Sequence, residues 1–264
     1  MNPDWQSRYD LMIRAAQEAG RIALNYYPDL KAADFSAKVI WKPDNSPVTV
    51  ADREAEAHLR KVVLDAFPQD GFLGEESGDQ AGSSGYRWIV DPVDGTRSFV
   101  RGIPHWATLV GLEHGGQPIA GVAYEPVIDR TWRALQGDGA FRDDQRIHVS
   151  RIARLDESVM FYSSLAWFVK AGRHNHFLQL VAKTQRQRGF GDYYGHLLVA
   201  QGAGEFMVEH GVHAWDVAAL KVIVEEAGGR FSDWGGTPTI HTPDCLASNG
   251  LTHDAVLAIL RGQE

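Results

Sequence analysis

The chain opens on a helical rhythm. Leu11, Ala15, Ala19, Ile22, Ala23 and Tyr26 recur at helical spacing between Asp4 and Tyr27, and Pro28 stops the run. The polar stretch Lys42-Pro43-Asp44-Asn45-Ser46-Pro47 reads as a loop because of its prolines. Thr49 is a good N-cap for a second helix reaching about Phe67, with Ala55, Leu59, Val62, Val63 and Ala66 facing inward. From Gly71 the period changes. Gly71–Gly74 and Arg87–Val90 predict short strands that each run into acidic residues, and Thr108–Glu113 with Pro118–Tyr124 predicts a hairpin. Thr131–Ala134 and Ala140–Phe141 would extend an antiparallel sheet.

The second half alternates instead. Strands are predicted at Val159–Tyr162, Glu205–Val208 and Cys245–Ser248, and helices at His174–Gln187, Asp192–Gln201, Trp215–Ala227 and from Thr252 onward. Gly228-Gly229 is a natural helix stop. The change of rhythm near Gln145–Leu155 divides the chain into an α+β half, residues 1–147, and an α/β half, residues 148–264. A length of 264 residues suits one large core or two modest ones.

Charge narrows the partners. With 26 Lys and Arg against 34 Asp and Glu, the net charge of -8 argues against neutralising nucleic-acid phosphates or coating an anionic membrane. It does not exclude a phosphate-bearing substrate, because bound divalent metal supplies charge that composition does not count. The single cysteine, Cys245, can make no internal disulfide, and no zinc ribbon or finger is suggested. The polar start lacks a secretion-signal pattern, and no run approaches the ~18 apolar residues of a membrane span. A cytoplasmic globular protein is expected.

The most informative stretch is Trp88-Ile89-Val90-Asp91-Pro92-Val93-Asp94-Gly95-Thr96-Arg97-Ser98-Phe99. A buried strand would deliver Asp91 at its end, with Pro92 ending the ladder. Asp94 follows in a turn, so two carboxylates can converge with the Val93 carbonyl between them, a donor set suited to Mg2+. A helix opening at Thr96 would aim its free N–H groups at a phosphate. Each acid also has a plainer reading. Asp-Pro-x-Asp-Gly is often only a turn, and Glu75 in Gly74-Glu75-Glu76-Ser77 could be a solvated loop residue. Asp52, three residues after Thr49, could be a capping-box acid, and Asp216 could simply answer a helix dipole.

Their conjunction is harder to explain plainly. Gly74-Glu75-Glu76-Ser77, Asp91-Pro92-Val93-Asp94-Gly95-Thr96 and Trp215-Asp216, preceded by Ser46-Pro47-Val48-Thr49-x-Ala51-Asp52, resemble in order and separation the signature blocks of the inositol monophosphatase-like, Mg2+-dependent phosphatases. The resemblance covers essentially the whole chain. It implies an α+β fold, the layered αβαβα sandwich of the inositol monophosphatase and fructose-1,6-bisphosphatase type, and a homodimer. It implies Glu75, Asp91, the Val93 carbonyl, Asp94 and Asp216 as ligands of two or three Mg2+ ions per site, with Mn2+ as a substitute. Asp52 would join a weaker metal and hydrogen-bond Thr96. Gly95 and Thr96 would give backbone N–H groups to the phosphate, while Glu75 and Thr96 orient the attacking water. Arg97 and Lys42 could also reach phosphate, although each reads more readily as a surface charge.

Finer features resemble the histidinol-phosphatase branch, in which the released alcohol is L-histidinol and the pathway is histidine biosynthesis. They are Thr96-Arg97-Ser98-Phe99, Gly102 to Leu109, Gly191-Asp192-Tyr193-Tyr194-Gly195, Trp215 to Leu220 and Gly228 to Gly235. Histidinol phosphate carries an ammonium and an imidazole, which carboxylates would receive. Asp192 and Glu209 fall, with Asp216, where the family contacts its substrate, though Asp192 reads equally as an N-cap. Tyr193, His196 and Gly204-Glu205 depart from that branch's usual residues, and His196 reads as a packed or solvated histidine. An inositol-1-phosphatase, or a broad sugar- or nucleotide-phosphate phosphatase, is the competing reading. A metal-binding regulatory protein with a dead site is disfavoured by the intact acidic set. Lys183, Arg186 and Arg188 form a short basic cluster that a solvated helix end would explain.

Overall fold

The structure, a computed structural model, describes residues 3–27, 40–41 and 47–263. Lys42, with most of the loop predicted around it, lies outside the described residues. In chain order the first half forms α1 (Pro3–Leu24), β1 (Ile40–Trp41), β2 (Pro47–Val48), α2 (Val50–Ala66), β3 (Gly71–Gly74), β4 (Gly78–Gln80) and β5 (Tyr86–Asp94). It continues through α3 (Thr96–Phe99), β6 (Ala107–His114), β7 (Gln117–Glu125), β8 (Arg130–Leu135), β9 (Gly139–Arg142) and β10 (Gln145–Ile147). The second half forms β11 (Val159–Tyr162), α4 (Leu165–Lys170), α5 (His174–Lys183), β12 (Arg186–Arg188), α6 (Asp192–Ala200) and β13 (Phe206–His210). It closes with α7 (Ala214–Glu226), β14 (Arg230–Ser232), β15 (Asp244–Ser248) and α8 (His253–Leu260).

Two sheets carry the architecture. An eight-stranded sheet runs β10-β9-β8-β7-β6-β5-β3-β4, antiparallel except where β3 lies parallel to β5. A five-stranded sheet runs β12-β11-β13-β15-β14, parallel through β13 and antiparallel beyond it. The period-two pattern of β5 sorts its side chains between two cores. Trp88 and Val90 pack with α1 and α2, while Ile89 faces α6 and α7 on the other side. The five-stranded sheet does the same. Met207, Cys245 and Ala247 face α6 and α7, whereas Phe206, Val208 and Leu246 pack with Phe177 of α5 and Leu257 of α8. The layers are therefore α1/α2, large sheet, α6/α7, small sheet and α4/α5/α8, an αβαβα sandwich.

The inner helix α7 is buried on nearly every side, from Val217 to Val224, because sheets cover it above and below. It can lie this close to the large sheet because Gly111 and Gly121 sit beneath it. A Cβ at those positions would meet Ala218 Cβ at 2.8 Å and the Ala219 carbonyl oxygen at 2.2 Å.

Several expected features are corrected. The helix predicted to reach Gln187 stops at Lys183, and Arg186–Arg188 forms edge strand β12. Arg186 and Arg188 are therefore strand residues, not a helix end. Ala66, expected to face inward, is exposed. Pro92 does not end its strand either, since β5 continues through a bulge to Asp94. No described helix is long and apolar enough to cross a membrane.

Between α8 and the small sheet, His253 is completely buried between two serines. Ser232 Oγ donates to the Asp233 carbonyl at 2.7 Å and so accepts from His253 Nε2 at 2.9 Å. Ser248 Oγ accepts from the Gly250 N–H at 3.1 Å and can donate to Nδ1 at 2.8 Å. This arrangement suits the neutral ring. Burial first, then the charge of Arg230, pushes His253 down from 6.5 to about 4. The unfolded chain therefore binds the extra proton first, and stability falls as pH drops through this interval. His253→Gln should flatten that difference in a comparison of thermal midpoints at pH 7 and pH 4; parallel curves for the two proteins would refute the assignment.

Candidate active site

The site begins with the bulge in β5. On a regular strand, residues three apart point to opposite faces. Between Asp91, opposite Leu109, and Asp94, opposite Ala107, β5 has one residue more than β6. That extra residue returns Asp94 to the side of Asp91. The bulge is stitched from within: Val93 N–H donates to Asp91 Oδ1 at 2.9 Å, and Thr108 Oγ1 donates to the Pro92 carbonyl at 2.8 Å. Gly95 then turns the chain at φ 85°, a conformation suited to glycine, and a Cβ there would approach the His105 carbonyl oxygen to 2.8 Å.

Asp216 reaches the same point from the start of α7. Carboxylate oxygens of Asp91, Asp94 and Asp216 lie within 4.8 Å of one another, although the residues come from distant parts of the chain. Asp216 is also a cap, since its Oδ2 accepts the His213 N–H at 2.7 Å. The capping and ligand readings are compatible: the cap fixes the side chain and delivers the carboxylate.

Asp52 combines the same roles on α2. Its Oδ2 accepts from Thr49 N–H at 2.8 Å and from the Thr49 hydroxyl, closing a capping box. Its Oδ1 lies 3.4 Å from Thr96 Oγ1, but the single Thr96 proton has a nearer acceptor in the Val93 carbonyl at 2.9 Å. The Asp52–Thr96 hydrogen bond implied by the resemblance is thus present, as the longer of the two. Burial raises Asp52 to about 6.

Electrostatics describe a cluster of buried carboxylates that repel one another. Burial pushes Asp91 well above the usual carboxylate range, and Glu75, Asp94, Asp216 and Asp52 push it further. Asp94 is raised likewise by burial, then by Asp192 and Asp216, although its Oδ2 accepts the Tyr193 N–H at 2.7 Å. A divalent cation with oxygen preference fits this donor set, because it would relieve the repulsion. Asp91, Asp94 and Asp216 would hold it most closely, with Glu75 and Asp52 beside them and the Val93 carbonyl available on the turn.

A cleft of about 410 Å³ opens from this cluster, lined by Asp94, Arg97, Trp167, Asp192, Glu209 and Asp216 among others. Asp192 is the first residue of α6, not its N-cap, and adopts φ 53°, uncommon for a residue with a side chain. Burial, then Glu209 and Asp216, raises it to about 7, with Arg97 opposing the shift. Arg97 is exposed on the cleft, and His196 is fully buried with Nε2 3.2 Å from Glu209 Oε2.

Sequence reasoning missed Glu56. This acid is 1% exposed, and its carboxylate accepts the Glu76 N–H at 2.8 Å and the Ser77 N–H at 2.7 Å. It therefore holds the turn that presents Glu75, and Gly74 leaves room for it: a Cβ there would meet its carboxyl carbon at 2.5 Å. Its spacing of four from Asp52 places both acids on one helix face, which is the available sequence signal. Glu56→Gln should keep the fold but weaken divalent-cation binding at the neighbouring acidic cluster by about 10- to 100-fold, as read by titration calorimetry. Unchanged cation affinity would show that the turn does not depend on Glu56.

Comparisons with known proteins agree with this geometry. Residues 4–264 match the inositol monophosphatase family. A histidinol-phosphatase of Mycobacterium tuberculosis is 42% identical, covering 84% of this chain and 88% of its own. An inositol-1-monophosphatase of Mesorhizobium japonicum is 34% identical, covering 96% of this chain and 95% of its own. Among solved structures, the extragenic suppressor protein suhB of Bartonella henselae superposes with a TM-score of 0.87 at 32% identity, covering 96% of this chain and 97% of that one. With the layered fold and the acidic cluster in place, these matches show that the chain belongs to the inositol monophosphatase family.

Proposed function

We propose that the chain hydrolyses L-histidinol phosphate, with Mg2+ held at the Asp91–Asp94–Asp216 cluster, to L-histidinol and phosphate. The reaction consumes one water: its oxygen bonds to phosphorus, the ester P–O bond breaks, and the departing alkoxide takes a proton. Bound Mg2+ would lower the pKa of a coordinated water and neutralise phosphate charge. Glu75 and the Thr96 hydroxyl orient the attacking water. Gly95 and Thr96 offer backbone N–H groups to the phosphate, and the Asp216 cap fixes the carboxylate beside the leaving oxygen.

The choice of alcohol rests on one observation: Asp192 and Glu209 line the same cleft as Asp94 and Asp216 of the acidic trio. Inositol offers only neutral hydroxyls, whereas histidinol brings an ammonium and a basic imidazole. A cation there would offset the burial, and the repulsion from Glu209 and Asp216, that together raise Asp192 to about 7. The match to a histidinol-phosphatase supports the same reading. The test is turnover of histidinol phosphate and inositol-1-phosphate side by side with Mg2+. Histidinol phosphate should be preferred by about 100-fold in kcat/KM, and Glu209→Gln should erase most of that preference. Equal turnover of the two esters would refute the substrate assignment while leaving the phosphatase reading intact.

A further inference from the structure

A second cluster of metal-binding side chains lies behind the cleft. Glu209 on β13 and Cys245 on β15 are direct cross-strand partners, so their side chains leave the sheet on the same face. That face carries α6, from which His196 meets them. Ligand atoms of His196, Glu209 and Cys245 lie within 4.8 Å of one another, and all three residues are buried. The His196 ring has Glu209 as its partner through Nε2 at 3.2 Å, and its buried Nδ1 has no hydrogen-bond partner among the described residues. The ring is thus tied by hydrogen bonding to the cluster alone.

We propose that His196, Glu209 and Cys245 form a second metal site, selective for a soft-to-borderline divalent cation such as Zn2+ or Co2+ over Mg2+. The donors decide the selectivity. Nitrogen, sulfur and one carboxylate oxygen suit Zn2+ and Co2+, whereas Mg2+ prefers an all-oxygen shell. Tetrahedral Zn2+ places sulfur at about 2.3 Å and nitrogen or oxygen at about 2.0 Å, so only small side-chain movements are needed to close the cluster. Binding displaces the thiol proton of Cys245, and a water from the cleft can complete the fourth position. Because Glu209 faces the cleft, the cation withdraws a carboxylate from it. Where the cleft receives the cationic alcohol, which rests on the function proposed above, occupancy inhibits turnover in competition with the ester.

The test is titration of the intact chain with Co2+ while saturating Mg2+ occupies the acidic cluster, followed by near-ultraviolet and visible absorption. Cys245 is the single cysteine, so a thiolate-to-cobalt charge-transfer band reports this site directly and requires no activity. One Co2+ per chain should produce the band together with the intense visible bands of a four-coordinate ion. Cys245→Ala should abolish the band and weaken inhibition by Co2+ at least tenfold, while leaving Mg2+-dependent turnover unchanged. Co2+ binding without a charge-transfer band in the unaltered protein, or a band undiminished in His196→Gln, would overturn the proposal.

Discussion

Asp94→Asn should abolish Mg2+-dependent phosphate release and leave the fold standing. The replacement keeps an oxygen able to accept the Tyr193 N–H that Asp94 holds at 2.7 Å, so the bulge and the start of α6 keep their connection. What disappears is one negative charge at the cluster's centre. In the metal-free chain that loss is favourable, because Asp192 and Asp216 repel the Asp94 carboxylate and burial already disfavours its charge. The thermal midpoint without metal should therefore hold or rise. Cation binding suffers in the opposite direction. Losing several kcal/mol of charge stabilisation in the transition state amounts to about 10³-fold or more in kcat/KM. Phosphate release within tenfold of the unaltered protein would remove Asp94 from the metal site. Opposite signs for stability and activity distinguish this account from simple damage to the fold.

Asp70→Ala should destabilise the chain by several kcal/mol. Asp70 is 1% exposed and accepts from Arg8 through both guanidinium branches, Nε at 2.8 Å and Nη2 at 2.9 Å. Trp88 Nε1 at 3.0 Å and Ser84 Oγ at 2.6 Å donate to the same carboxylate. The Arg8 guanidinium lies over the rings of Phe67 and Tyr86, 4.1 Å and 3.8 Å from their centroids. Removing the carboxylate strands a buried cation and a buried indole N–H, a loss of about 3–5 kcal/mol. Burial alone would raise Asp70, but Arg8, Ser84 and Trp88 outweigh it and hold the carboxyl below its ordinary value. A depressed carboxylate stabilises fully above its unfolded value of 3.8 and loses that contribution as pH falls further. Denaturant midpoints at pH 7 measure the first effect, and a loss below about 1 kcal/mol would contradict it.

The contrast between these residues shows what the sequence carried. Asp91 and Asp94 were legible as a pair because glycine, proline and carboxylates are crowded into a few positions. The reason they share a face was not legible, since it lies in a bulge set by pairing with β6. Helix α2 can be read from its cap and apolar stripe, yet nothing local sets Glu56 apart beyond its spacing from Asp52. Its partners are N–H groups of Glu76 and Ser77, some twenty residues away. The polar strand β12 is hidden from sequence because Arg186-Gln187-Arg188 has no apolar alternation, and its position depends on β11. Short α4 passed unnoticed for lack of enough turns to show a period. His196, Glu209 and Cys245 meet only through sheet register and helix packing, which no local spacing could show.

If the acidic trio gathers divalent cation for phosphate-ester hydrolysis, phosphate released from histidinol phosphate by the intact chain should rise saturably as Mg2+ is added and cease with excess chelator. Release that persists unchanged in chelator would contradict that role for the trio.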